Sequence, residues 1–162
     1  MNFRSGFSDS NDDSNSNGED NSLASEVTPL RLLSEHLGSI LESGVDFFSD
    51  AMIVAGDGRE VAVHRCILAA RSVFFKNKFA GGVVLRLKEV AKDYDVGLEA
   101  LGIVLAYLYS GRVKALPHGG FCECVDDVCS HFGCRPVVDF LLQLLYVSST
   151  FQLSELVALY HV

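Results

Sequence analysis

Apolar residues along this chain fall into short runs whose spacing changes several times. Leu30, Leu33, Leu37, Ile40 and Leu41 recur at three- and four-residue steps, the spacing of one stripe on a helix. That helix is predicted to open at Thr28-Pro29, where a hydroxyl can cap the first turn and proline fits it, and to break at Gly44. An apolar stripe needs a surface to pack on, and from spacing alone either the domain's own core or a partner chain would serve. Ala51 to Val54 then reads as an apolar strand, Gly56-Asp57-Gly58 as a turn, and Glu60 to His64 as an alternating strand with Val61 and Val63 on one face. Together they predict a β-hairpin.

Further along, Arg65 to Ala70 has a helical pattern, and Ser72 can cap a second short helix carrying Val73, Phe74, Phe75 and Phe79, closed by Ala80-Gly81-Gly82. Val83 to Leu87 is predicted as a third strand. Asp95 can cap a long apolar helix through Leu98, Leu101, Val104, Leu105 and Leu108, with Gly111 as its carboxyl-terminal cap. Pro136 opens a helix through Phe140, Leu141, Leu144 and Leu145, and a last helix runs from about Leu153 to the end, where it looks cut short. A few strands among many short helices, without regular crossovers, argue for an α+β domain. Most aromatics, including Phe74, Phe75, Tyr107 and Tyr109, are expected in its core.

Composition narrows the function classes. With 162 residues, 49% of them hydrophobic and 21% charged, the chain has material for one packed domain. A formal net charge of -8 would repel a phosphate backbone, so direct nucleic-acid binding is not expected. No apolar run approaches the roughly 20 residues that span a bilayer, and the polar amino terminus lacks the layout of a secretory signal. A soluble intracellular protein without a membrane partner is therefore expected. Up to about Glu26 the sequence is rich in Ser, Asn, Asp and Glu with Arg4 its only base, which predicts a disordered acidic tail. Such a tail reads as a solubilising leader, or as a segment regulated by phosphorylation at Ser8, Ser10, Ser14 and Ser16.

The five cysteines are unevenly placed. Cys122, Cys124, Cys129 and Cys134 crowd into the turn-rich stretch from Leu116, and in a reducing compartment such a cluster points to metal more than to disulfides. Cys124, Cys129, His131 and Cys134 form a C-x4-C-x-H-x2-C array of three thiolates and one imidazole, a donor set that suits a closed, structural Zn2+ site. Free thiols in a flexible loop are the alternative, and Cys122 could replace Cys124 with a changed loop size; Cys124 is the preferred ligand. Glu123, Asp126 and Asp127 around the cluster oppose a nucleic-acid-binding knuckle. Cys66, beside Arg65 near a helix start, could be a redox-sensitive thiol, but a small buried core thiol is the preferred reading. His64 reads as a hydrogen-bonded structural residue. Asp46 and Asp50 lack any accompanying phosphate loop or nucleophile motif, so no enzyme is expected. The rivals from other classes are a zinc-dependent hydrolase or deaminase with Glu123 as its acid-base group, and a thiol redox sensor.

The run His64-Arg65-Cys66-Ile67-Leu68-Ala69-Ala70-Arg71-Ser72-Val73-Phe74-Phe75, with Asp50 entering the first strand, resembles the BTB/POZ signature. The stretches Leu87 to Gly97 and Cys124 to Phe140 resemble, more narrowly, the plant non-expressor of pathogenesis-related genes family, over about Leu30 to Val162. The resemblance implies a BTB/POZ fold, a small mainly antiparallel sheet flanked by a cluster of short helices with a zinc-binding loop. It also implies a homodimer whose interface includes Leu30, Leu33, Leu37 and Ile40, and it strengthens the zinc assignment.

The function it implies is a nuclear and cytoplasmic co-regulator of salicylic-acid-dependent defence, with transcription-factor partners and adaptor work for a cullin-3 ubiquitin ligase. The expected organisation is a tail over 1–27, the BTB/POZ domain over 28–116, the zinc loop over 117–135 and helices over 136–162 that begin a truncated extension. Ankyrin repeats, which follow in the family, are not expected within these 162 residues. The stretch between Phe79 and Val83 is shorter than usual for the family. Ser130 stands where some relatives carry another cysteine, so redox behaviour tied to that cysteine does not carry over.

Overall fold

The hairpin signalled by Gly56-Asp57-Gly58 organises the sheet. In the computed structural model, which describes residues 19–43, 48–113 and 135–160, strands β1 (Ala51–Val54) and β2 (Glu60–Val63) pair antiparallel, with Ile53 opposite Val61. Gly58 takes φ 87° and donates its N–H to the Ala55 carbonyl at 3.0 Å, a conformation that glycine adopts without steric cost. Strand β3 (Val84–Arg86) joins the other edge of β1 in parallel, giving the order β2-β1-β3. The sheet is thus mixed, with one antiparallel and one parallel pairing, where a mainly antiparallel one was expected. The third strand reaches β1 after the helical segment between them, and that crossover returns it in the same direction.

Helices follow the sequence pattern with some displaced ends. They are α1 (Glu19–Glu42), α2 (Arg65–Arg71), α3 (Val73–Lys78), α4 (Leu87–Val90), α5 (Leu98–Ser110), α6 (Arg135–Thr150) and α7 (Ser154–Tyr160). The four-residue α4 was not anticipated. Helix α1 begins at Glu19 instead of Thr28, so Pro29 lies inside it.

The chain divides into two units, Met1–Leu32 and Leu33–Val162. Within the second, buried residues form one core around Ile53, Val63, Leu68, Phe75, Leu85, Leu101, Leu105 and Leu108. Phe75 is fully buried, 4.5 Å between ring centroids from Phe151 and 5.7 Å from Phe79, and Phe74 stands 5.3 Å from Phe151. This aromatic group ties α3 to the turn after α6. Each buried phenylalanine contributes roughly 2–3 kcal/mol of burial free energy. Tyr107 and Tyr109 are buried as well.

Two caps differ from expectation. Ser72 precedes α3 but makes no side-chain cap; its hydroxyl donates instead to the Phe151 carbonyl at 2.7 Å inside the core. Asp95 does not cap α5, whose capping residue is Gly97. The Leu98 N–H at that helix start donates to Asp57 Oδ2 at 3.0 Å, so the carboxylate comes from the hairpin turn. Gly111 ends α5 in the left-handed region, φ 70°, its N–H on the Tyr107 carbonyl at 2.8 Å.

Candidate functional site

The residues of the His64-Arg65 signature lie where the hairpin hands over to α2. Asp50, just before β1, accepts the Arg65 backbone N–H on Oδ1 at 2.8 Å and the Arg65 Nε on Oδ2 at 2.9 Å. The backbone bond, and then the guanidinium, hold the Asp50 carboxyl below the usual carboxylate range. His64 donates its backbone N–H to the Tyr109 hydroxyl, and its ring Nδ1 shares a second hydrogen bond with the same oxygen. Burial pushes the Tyr109 phenol up, so it stays protonated. Every one of these groups bonds to another part of the chain, and the cluster therefore fixes α2 and α5 against the sheet. Asp46 lies outside the described residues.

A second cluster holds the start of α5. Arg59 bridges Asp57 at 2.6 Å and Glu99 at 2.8 Å, while the Arg59 backbone N–H also reaches Asp57 Oδ1 at 3.0 Å. The Arg59 side chain, foremost, lowers the Asp57 carboxyl to about 2, and it lowers Glu99 also. Gly56 makes this possible: a Cβ there would lie 2.5 Å from Asp95 Oδ1 and 2.8 Å from the Val96 nitrogen. Its own N–H donates to the Val96 carbonyl at 2.7 Å. The sequence marks Gly56 and Asp57 only as turn residues.

The four residues of the expected interface stripe have different surroundings. In the first unit Leu30 is 66% exposed. In the second unit Leu33 is 55% exposed, Leu37 is half-buried, and Ile40 with Leu41 packs against the core. The carboxyl-terminal part of α1 is anchored to the end of α5 by Ser34 Oγ donating to the Ser110 carbonyl at 2.6 Å and by Arg112 with Glu35 at 3.2 Å. Gly38 permits the approach, since a Cβ there would stand 3.4 Å from Ser110 Cβ. Spacing alone could not separate these roles, because a helix that docks by one end keeps the same period along its whole length.

Cys66 is exposed, which corrects the preferred reading of a buried core thiol. Leu68 takes the buried position of α2 instead. The expected zinc ligands Cys124, Cys129, His131 and Cys134, and the alternative Cys122, lie outside the described residues. Among the described residues no group of three or more His, Cys, Asp or Glu side chains could hold a metal ion, and no helix is long and apolar enough to cross a membrane.

The BTB/POZ domain family matches residues 37–132, which include the hairpin, the His64-Arg65 cluster and α2 to α5. The chain belongs to the BTB/POZ family. This BTB/POZ domain is 47% identical over 146 residues to Regulatory protein NPR1 of Arabidopsis thaliana, covering 83% of the chain and 24% of that protein. It is 43% identical over 141 residues to Regulatory protein NPR3 of the same plant, covering 82% and 24%. It is 41% identical over 177 residues to the BTB/POZ domain and ankyrin repeat-containing protein NPR1 of Oryza sativa subsp. japonica, covering 95% and 30%. The chain thus spans between 24% and 30% of the length of these relatives. The solved BTB domain of zebrafish PATZ1 superposes with a TM-score of 0.52 at 13% identity, covering 85% of this chain and 89% of that one. At that identity the likeness is one of fold.

Proposed function

We propose that this BTB/POZ domain is a non-enzymatic, dimerising protein-interaction module of plant defence regulation. The observation that carries the reading is the contrast along α1 in the second unit, where Leu33 is exposed while Ile40 and Leu41 pack inward. Leucine left in water on an anchored helix is surface for a second copy to cover, and Leu33 and Leu37 are the proposed contacts. The work proposed for it is the one its resemblance to the non-expressor of pathogenesis-related genes family implies: beside salicylic-acid-dependent regulators in nucleus and cytoplasm, with transcription factors met through longer relatives and a cullin-3 ubiquitin ligase as the adaptor's partner. Charged substitutions at Leu33 and Leu37 are expected to convert a dimer to a folded monomer in light scattering. An undiminished dimer mass would overturn the interface, and failure of purified cullin-3 to retain the wild-type chain would overturn the adaptor role.

The donor set of Cys124, Cys129, His131 and Cys134 fits zinc chemically, three soft thiolates and an imidazole being a donor set that closed structural zinc sites use. The ion's role in this proposal is structural, and these four side chains would hold it. The exposed Cys66 supports a second reading, a thiol sensor that alters oligomeric state. A mass that changes reversibly with oxidant and reductant in the wild type but not in Cys66→Ser would support it; equal behaviour of the two would exclude it.

A further inference from the structure

Among the described residues, strand β3 has one neighbour in the sheet order β2-β1-β3. The Met52 N–H donates to the Val83 carbonyl at 2.8 Å. Because backbone groups alternate sides along a strand, the N–H and C=O of Val84 then point away from β1. Among the described residues, no backbone bond outside the ladder reaches Val84. Leu85 is buried, whereas Val83 and Val84 are 50% and 48% exposed and Arg86 shares the outward face with Val84. A short edge with open hydrogen-bonding groups and β-branched side chains in water is a template for another strand.

Charge selects the occupant. From Lys76 to Lys92 the chain carries five bases, Lys76, Lys78, Arg86, Lys88 and Lys92, against one acid, Glu89, although the whole chain has a net charge of -8. Lys88 lies 3.9 Å from Asp95, and among the described residues the other four bases have no ion pair. Edge lysines commonly protect a sheet from pairing with its like, and a second copy would present the same bases. An acidic strand meets attraction where that copy meets repulsion. A nucleic acid would satisfy the charges but could neither continue the ladder nor cover the valines.

We propose that β3 is a docking edge for an extended acidic segment of a partner protein, which adds as a strand beside Val84 with its carboxylates over Arg86 and Lys88. None of its residues belongs to α1.

The test uses the full chain labelled with 15N and a capped synthetic peptide alternating valine with glutamate. Amide shifts concentrated at Val84 and Arg86 are expected, together with at least tenfold weaker binding to Arg86→Glu/Lys88→Glu and to the wild type in high salt. Val84→Pro removes the outward N–H and is expected to abolish binding. Should that variant not fold, a peptide N-methylated at alternate residues probes the same bond from the other side. Shifts centred elsewhere would overturn the proposal, as would equal binding of the N-methylated peptide, of its lysine counterpart or of oligothymidylate.

Discussion

The hydroxyl of Tyr109 lies 2.9 Å from the backbone nitrogen of His64 and 2.9 Å from that residue's ring Nδ1. One phenol thus joins the end of the hairpin to the last turn of α5. Tyr109→Phe keeps the ring and its packing but leaves the partly buried His64 N–H without its acceptor, which costs about 1–3 kcal/mol. Urea denaturation should show a lower midpoint with an unchanged slope. A midpoint equal to wild type would mean that water replaces the hydroxyl at no cost.

Asp57 couples acidity to stability. Its carboxyl is lowered from 3.8 to about 2 in the folded chain, first by the Arg59 side chain and then by the Arg59 backbone N–H. A depressed folded value contributes stability that is fully present above the unfolded value and is lost as pH falls through the folded one. The acid-sensitive window therefore runs from about pH 4 down to about pH 2, with Glu99 and Asp50 adding in the same direction. Asp57→Asn should destabilise the chain by about 1 kcal/mol at neutral pH, the usual scale for a weakened helix cap. Its melting temperature should also fall less between pH 5 and pH 3 than that of wild type. Parallel pH profiles would contradict this assignment.

Phe75 sits at the centre of the aromatic group formed with Phe74, Phe79 and Phe151. Phe75→Ala should cost about 3–5 kcal/mol, because the fully buried ring leaves a cavity behind, while Phe75→Leu should cost appreciably less. Calorimetry on the two variants separates a cavity from a mere loss of aromatic contact: equal losses would point to the latter.

Zinc removal offers an independent measurement. Metal analysis of the purified chain should find stoichiometric zinc, and Cys129→Ser or His131→Ala should lower it. A strong chelator should release the ion with the thiols becoming titratable, since binding would keep them deprotonated. Metal-free protein with the same melting temperature would exclude a structural ion.

Much of the domain was legible in the order of its residues because local rules decide local geometry. Apolar alternation marked Glu60 to His64 as a strand, a three- and four-residue period marked α5 and α6, and Gly111 marked the end of α5, each through the preference of a few neighbouring residues. The BTB/POZ signature was legible for the same reason, being contiguous from His64 to Phe75.

Relations between distant residues belong to the folded chain alone. Asp57 accepts the Leu98 N–H at the start of α5, Ser72 reaches Phe151, and β3 pairs in parallel, because packing brings together groups whose separation along the chain carries no signal. Tertiary packing likewise decided that Ile40 faces inward while Leu33 stays in water, and that Cys66 lies on the surface. Periodicity says which residues share a face; only the neighbouring elements determine how much of that face they cover.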